Sequence, residues 1–218
     1  MITPSRTWTV DEASHAAFVQ LSGDLNPIHT DELAARRLPF GEVVVHGVHV
    51  LLRALDHWAA ANPDLAPTHL SATFRQPVGI GRWLTAAWSE PTDDSHLDRG
   101  ANNQVDIAVD AHGVRAVDIR IAVVTASTDT AADQVTESLP ALTTRMLYPT
   151  GWAIEELDGR SGAVPVDADT AALVAMFPAL VAVTGMAAAR ELVALTALVG
   201  MHVPGLHSMF SSLSVEFG

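Results

Sequence analysis

A carboxylate and an imidazole stand five residues apart near the N-terminus, at Asp24 and His29. The chain between them must turn: Gly23 permits backbone angles that other residues avoid, and Pro27 keeps Asn26 out of the helical region. In such a turn an acidic side chain and a histidine can converge on one small volume and exchange protons through a shared water molecule. The pair therefore favours proton-transfer chemistry. A helix cap followed by an ordinary loop histidine is the alternative that the spacing leaves open.

The whole segment 18–29 is more specific than that pair, since it reads Phe-Val-Gln-Leu-Ser-Gly-Asp-Leu-Asn-Pro-Ile-His. It resembles the signature of the MaoC-like, or R-specific, enoyl-CoA hydratases: an aromatic residue, two further residues, an aliphatic and a small residue, then Gly-Asp-x-Asn-Pro-aliphatic-His. Phe40-Gly41 and His46-Gly47 also resemble the family, whose members tend to carry Ala-His-Gly where this chain has Val45 before His46. The resemblance covers about residues 5–127.

The resemblance implies a hydro-lyase that adds water to a 2-enoyl thioester or dehydrates a (3R)-hydroxyacyl thioester. Asp24 and His29 would hold the water and move its protons, a role worth about 10²- to 10⁴-fold in rate. Which of the two is the base is left open, and Asn26 would position the water or substrate, or only stabilise the turn. At the start of a helix, the Gly47 amide would bind the oxyanion, although a glycine there could merely permit packing. The neighbouring His46 is either a substrate contact or a structural hydrogen-bonding residue.

Other reaction classes are disfavoured by residue types that the chain lacks or scatters. Cysteine is absent and all twelve basic residues are arginine, which excludes thiolate sites, cysteine nucleophiles and lysine Schiff bases. The remaining histidines show no ligand-pair spacing with a carboxylate, and no serine stands in a Gly-x-Ser-x-Gly setting. We therefore predict no metal, no cofactor and no acyl-serine intermediate.

A formal net charge of −13 argues against nucleic-acid binding, which requires a basic footprint. The same charge would repel an anionic acyl-CoA or acyl carrier protein unless arginines gather on one face. The candidates for such a face, each of which could instead be an ordinary surface charge, are Arg36, Arg37, Arg53, Arg75 and Arg82.

The order of the elements predicts an α+β arrangement in which an antiparallel sheet wraps around a central helix, and the family resemblance implies that this is the hotdog fold. Apolar spacing predicts helices at 11–21, 31–37 and 47–62 and strands at 8–10, 69–75, 83–90, 104–110 and 114–125. The Ala111-His112-Gly113 string predicts a tight hairpin turn between the last two strands. The one-helix-then-strands order is typical of this fold, and the family resemblance implies the same arrangement.

A second, degenerate unit is predicted after a polar stretch, with residues 1–128 as the catalytic domain, 129–137 as a linker and 138–218 as the second hotdog-like unit. Leu-Ser-Ala-Thr-Phe at 70–74 recurs as Leu-Ser-Val-Glu-Phe at 213–217. Pro39 has a counterpart in Pro178, and His46-Gly47 has one in Thr184-Gly185. Because these landmarks occur in the same order in both halves, they suggest a duplicated module. The copy has no Gly-Asp-x-Asn-Pro and places Asp167 near the position of His29, so we predict a catalytically empty unit that completes the interface. It ends soon after its repeat, so its last strands are missing, and either a longer chain or another subunit would supply them.

The leading prediction is thus a cytoplasmic hydro-lyase that forms a homodimer, takes an acyl-CoA or acyl-carrier-protein thioester, and contacts neither nucleic acid nor membrane. The longest apolar stretch, 171–189, is interrupted by a proline and a glycine, which argues against a membrane span. Two alternatives stay open. One is a hotdog thioesterase, and the other is a non-catalytic hotdog protein that binds acyl chains or serves as a subunit of a complex.

Overall fold

A computed structural model of the chain describes residues 3–91, 103–126, 168–202 and 209–217. Six antiparallel strands form one sheet in the order β1-β3-β4-β5-β2-β6. The strands are β1 Ser5–Thr9, β2 Leu65–Phe74, β3 Trp83–Trp88, β4 Asn103–Ala111, β5 Val114–Thr125 and β6 Ser212–Glu216. The predicted turn between β4 and β5 is confirmed, with positive φ angles of 49° at His112 and 80° at Gly113.

The central helix α4, Gly47–Ala61, is buried on nearly every side. The sheet covers one side of it, and helices from the C-terminal part of the chain contact another. Leu51, Leu52 and Trp58 are among the largest side chains that are fully buried. The predicted hotdog arrangement, an antiparallel sheet around one long helix, is therefore confirmed.

Three helices precede α4 and carry the signature turn: α1 Glu12–Ser22, α2 Pro27–Thr30 and α3 Glu32–Ala35. Asp11 caps α1 by accepting the amide of Ser14 at 2.8 Å. Gly23 ends α1 in the left-handed conformation, with φ 69°. The helix predicted at 31–37 is a single turn, because Asp31 caps it and regular structure stops after Ala35.

The C-terminal helices are α5 Thr170–Met176, α6 Pro178–Thr184 and α7 Met186–Ala197, and a wider π-helical turn, Leu198–His202, extends α7. Helix α6 is anchored to α4 by Asp56, whose Oδ1 accepts the amides of Ala179 at 2.9 Å and Leu180 at 3.0 Å. Arg53 strengthens this joint by donating to the Met176 carbonyl at 2.6 Å. These contacts place α7 and its π-helical turn beside the start of α4.

Strand β6 pairs with β2 in the register that a local two-fold axis would produce. Ser71 lies opposite Ser214, its counterpart in the internal repeat. On either side of that pair Leu70 lies opposite Val215, and Ala72 opposite Leu213. The repeated segments thus pair with each other inside one chain. The edge of β2 that a single unit would expose is occupied by β6.

The remaining domain predictions fall largely outside the described residues. The linker at 129–137 and Asp167 lie there, so the domain boundaries stay predictions. Among the described residues, no single helix has the length and apolar character needed to cross a membrane. One bent pair, Pro178–Thr184 with Met186–Met201, meets that test only when its two arms are combined across a 118° bend.

Candidate active site

The signature turn brings Asp24 and His29 to the same cavity because each of its residues has a local structural partner. Asp24 Oδ1 accepts the backbone amide of Asn26 at 3.0 Å. The side chain of Asn26 in turn accepts the amide of Ile28 at 3.3 Å and so caps α2, on which His29 sits. Asn26 does not line the cavity. Of the two roles predicted for Asn26, the structure displays the stabilisation of the turn. Its proposed influence on a water molecule would act through Asp24.

The tautomer of His29 follows from its hydrogen bond to the backbone. Its Nδ1 lies 2.7 Å from the carbonyl oxygen of Val44. A carbonyl oxygen only accepts, so Nδ1 carries the hydrogen and Nε2 of the neutral ring has a free lone pair. Burial, and next the neighbouring His46, lower the pKa of His29 to about 3. At neutral pH His29 is thus an uncharged hydrogen-bond acceptor.

His46 lies between these two groups. Its Nε2 is 3.4 Å from Asp24 Oδ2. Its ring stacks on His29 with centroids 3.7 Å apart and planes inclined by 28°. Asp24, His29 and His46 each present a polar atom within 4.8 Å of the other two, and all three side chains are buried. That spacing is within the span of one bridging water molecule.

The same three side chains are poorly arranged for a metal ion. An imidazole binds a metal along the nitrogen lone pair, which lies in the plane of the ring. The stacked rings of His29 and His46 are close to parallel, so their lone pairs do not converge on one point. In addition, Nδ1 of His29 already donates to a backbone carbonyl. The cluster suits a water molecule better than a cation.

Gly47 lies at the start of α4 and lines the same cavity. Within the first turn of a helix its amide has no intrahelical acceptor, and no side chain caps this helix. A Cβ at this position would lie 2.9 Å from Cδ1 of Phe74, so packing also requires glycine here. Both roles predicted for Gly47 are therefore compatible with its position.

The cavity has a volume of about 160 Å³ and an exposed mouth. Arg75, Pro77 and Met209 line the mouth and are exposed to solvent. Arg75 is the only one of the five candidate arginines that lines this cavity, and its Nε pairs with Asp118 at 2.7 Å. Within the described residues, Arg36 pairs with Glu32, Arg82 pairs with Glu42, and Arg53 points to the α5 terminus.

The second wall of the cavity comes from the C-terminal part of the chain, which sequence reasoning predicted to be catalytically empty. Thr196, Val199 and Gly200 line it. A Cβ at Gly200 would lie 2.4 Å from Oδ1 of Asp24, so the π-helical turn directly contacts the carboxylate. The amide of Leu25 also donates to the sulfur of Met201 at 3.2 Å. The only sequence signal was a glycine within an apolar helical stretch, which is too common to identify such a contact.

Two further buried histidines lie next to the site, and the sequence patterns did not identify them. His15 donates from Nε2 to the carbonyl oxygen of His29 at 2.7 Å and so fixes the end of α2. His49 is fully buried and stacks on Phe18, with ring centroids 4.4 Å apart. Burial holds the pKa of His49 well below its ordinary value. Both rings serve as packing surfaces around the site.

Comparisons with known proteins identify the family to which the chain belongs. Residues 2–127 match the family model described as MaoC like domain. A 3-hydroxybutyryl-CoA dehydratase from Methylorubrum extorquens is 32% identical over 74 residues, which cover 33% of this chain and 47% of that protein. The match therefore spans about half the length of this curated relative.

Among solved structures, an (R)-hydratase from A. caviae is 26% identical, with a TM-score of 0.47 over 57% of this chain and 95% of the other. A Mycobacterium tuberculosis protein described as a double hotdog fold is 15% identical, with a TM-score of 0.45 over 59% of this chain and 43% of the other. The family model covers more than half of the 218 residues and contains the whole signature turn. The chain therefore belongs to the MaoC-like domain family.

Proposed function

We propose that this chain is a hydro-lyase that adds water to a 2-enoyl thioester or removes it from a 3-hydroxyacyl thioester. The observation that carries the proposal is the group of Asp24, His29 and His46, whose polar atoms lie within 4.8 Å of one another in a cavity that also contains the start of α4. Membership of the MaoC-like family and the similarity to a 3-hydroxybutyryl-CoA dehydratase support the same reaction class.

In the proposed mechanism, Asp24 and Nε2 of His29 both accept hydrogen bonds from one water molecule. Its oxygen attacks C3 of the enoyl group while His29 takes one proton and becomes an imidazolium ion. The carboxylate of Asp24 stabilises that cation. The electron pair of the C2–C3 double bond moves toward the thioester oxygen, where the Gly47 amide and the helix dipole stabilise the negative charge. His29 then returns its proton to C2.

The proposal also covers the delivery of the substrate, the formation of a dimer and the location of the protein. We infer that the thioester is delivered by CoA or by an acyl carrier protein through the mouth beside Arg75, the one arginine among the described residues that lines the cavity. A homodimer would have to use a surface other than the β2 edge, because β6 occupies it. A cytoplasmic location remains a prediction.

The direct test follows the loss of the enoyl absorbance of crotonyl-CoA, with free-thiol release measured in parallel. We expect hydration without thiol release, and a loss of at least about 100-fold in kcat for Asp24→Asn and for His29→Ala. Asp64→Asn is the matched control, because this exposed carboxylate follows α4 and does not line the cavity. Thiol release as the main reaction would favour a thioesterase, and full hydration by either site variant would refute the mechanism.

A further inference from the structure

One buried hydroxyl group in the cavity wall has no hydrogen-bond partner in the described part of the chain. It belongs to Thr196 on α7, whose side chain is 3% exposed. A helical threonine ordinarily donates to the carbonyl four residues earlier, as Thr184 does to Leu180 at 2.9 Å. Thr196 lines the cavity and makes no such bond. Buried polar groups rarely lack a hydrogen-bond partner, so we expect this hydroxyl to bond to a group other than the described residues.

The position of Thr196 indicates which part of a substrate would reach it. Thr196 precedes Gly200 by four residues, and Gly200 touches the carboxylate of Asp24. Thr196 therefore lies about one helical turn, a rise of roughly 5 Å, from the residue that contacts the carboxylate. No hydrogen bond joins the Thr196 hydroxyl to Asp24, His29 or His46. An acyl chain in the cavity could offer this hydroxyl an oxygen atom beyond the reacting carbons.

The direction of the acyl chain follows from exposure. The mouth consists of exposed residues, whereas Thr196 and Val50, which is 1% exposed, line the buried part of the cavity. A bulky CoA or carrier protein must remain at the mouth, so the acyl chain points toward the buried end. The buried Val50 and Val117 and the half-buried Val199 line the same cavity, and Thr196 adds its unpaired hydroxyl to this aliphatic lining.

We propose that Thr196 selects acyl thioesters that carry a hydroxyl or keto oxygen two or more carbons beyond C3. This inference rests on the proposed hydro-lyase function. A site that is built to hydrogen-bond a substrate oxygen discriminates against the analogue that lacks it, because the buried protein group is then left unpaired. The C-terminal part of the chain thereby sets specificity while the N-terminal part carries out the proton transfers.

The test compares kcat/KM for 5-hydroxyhex-2-enoyl-CoA with kcat/KM for hex-2-enoyl-CoA. We expect the wild-type protein to prefer the oxygenated substrate by about tenfold, which corresponds to about 1.4 kcal/mol. Thr196→Val keeps the branched shape and removes the hydroxyl, so the preference should disappear; Thr196→Ser should retain it. Thr184→Val is the matched control, since that hydroxyl already bonds within its own helix. Equal preference in the wild-type protein and Thr196→Val would overturn the inference.

A binding measurement separates this inference from the proposed reaction. Saturated 5-hydroxyhexanoyl-CoA and hexanoyl-CoA cannot be hydrated, so calorimetric titration measures the contact with Thr196 alone. Tighter binding of the hydroxylated ligand to wild type but not to Thr196→Val supports the inference, even if the protein hydrates neither enoyl substrate. Hydration of both enoyl substrates, with the two saturated ligands bound equally tightly, would refute the inference and leave the hydro-lyase proposal intact.

Discussion

Adding one methyl group at Gly200 tests whether the C-terminal part of the chain holds the reactive carboxylate in place. A Cβ built on Gly200 lies 2.4 Å from Oδ1 and 2.5 Å from Oδ2 of Asp24, whereas ordinary van der Waals contact begins at 3.4 Å. The Gly200→Ala substitution must therefore move the carboxylate, or the helical turn, by about 1 Å. A displacement of about 1 Å at a reacting group can reduce turnover by about 100-fold. We expect a loss of that size in kcat.

The substitution should leave the fold intact. Gly200 does not adopt a left-handed conformation, so alanine meets no backbone strain there. In a helix interior, alanine is favoured over glycine by about 1 kcal/mol, which offsets part of the cost of the new contact. We therefore expect the free energy of unfolding to stay within about 1 kcal/mol of wild type while turnover falls.

The assay is a double-mutant cycle with Asp24→Asn, using crotonyl-CoA hydration and urea denaturation. If Gly200 acts through Asp24, Gly200→Ala should cause little further loss of kcat in the Asp24→Asn protein. A matched control removes a methyl group from the same helical region, in Ala197→Gly, and should leave kcat within a few-fold of wild type. Two results would refute the reasoning: unchanged kcat in Gly200→Ala, or losses that multiply when the two substitutions are combined.

Three further predictions concern the free energy of unfolding and the pairing of β2 with β6. Because the pKa of His29 falls from its ordinary 6.5 to about 3 on folding, the unfolded state binds the additional proton. The titration of His29 should therefore leave the free energy of unfolding unchanged above about pH 6.5. Below that pH it should lower the free energy of unfolding by about 1.4 kcal/mol for each pH unit. Because the pKa of His49 is lowered as well, the contribution of His29 is the difference in slope between the wild-type protein and a His29→Gln variant, measured by urea denaturation between pH 7 and pH 5; equal slopes would contradict it. Asp56→Ala should lower the free energy of unfolding by about 2 kcal/mol, because one buried and one partly buried amide of α6 lose their acceptor. Asp56→Asn keeps an acceptor oxygen and should lose less, and equal losses would point to a role of charge alone. Cysteines placed at Ser71 and Ser214 should form a disulfide on mild oxidation, since these residues are direct cross-strand partners in a chain that has no cysteine. Mass spectrometry that finds only free thiols would exclude this register.

Local patterns predicted the elements around the site well where one periodicity dominates. The apolar stripe that begins at Gly47 predicted α4 to within a residue, because a 3.6-residue period leaves one interpretation over fifteen residues. Alternating residues and the turn at His112 likewise predicted the β4–β5 hairpin. Helix α2 was not predicted, because Asn26 and Pro27 favour a turn and a helix start equally well. In the fold they act as the cap and the first residue of a helix.

The composite nature of the site was beyond sequence reasoning. Leu25 and Met201 meet in the folded chain although 176 positions separate them. The contact between Gly200 and Asp24 depends on how α7 sits beside α4, which in turn depends on Asp56 and Arg53 at a joint that no local pattern marks. The repeated pentapeptide predicted a duplicated module, but the pairing of the two segments with each other is a property of the sheet.

The pairing of β2 with β6 places the repeat where a second polypeptide would otherwise dock. A tethered neighbour is present at an effective concentration set by the linker and not by the solution, so turnover per chain should not decline on dilution. Because the two halves are covalently linked, they also need not have identical sequences. In an assembly of identical copies every substitution occurs on both sides of the axis, whereas here Thr196 can change without altering the residues that transfer protons. Selectivity and chemistry can thus diverge separately within one gene product.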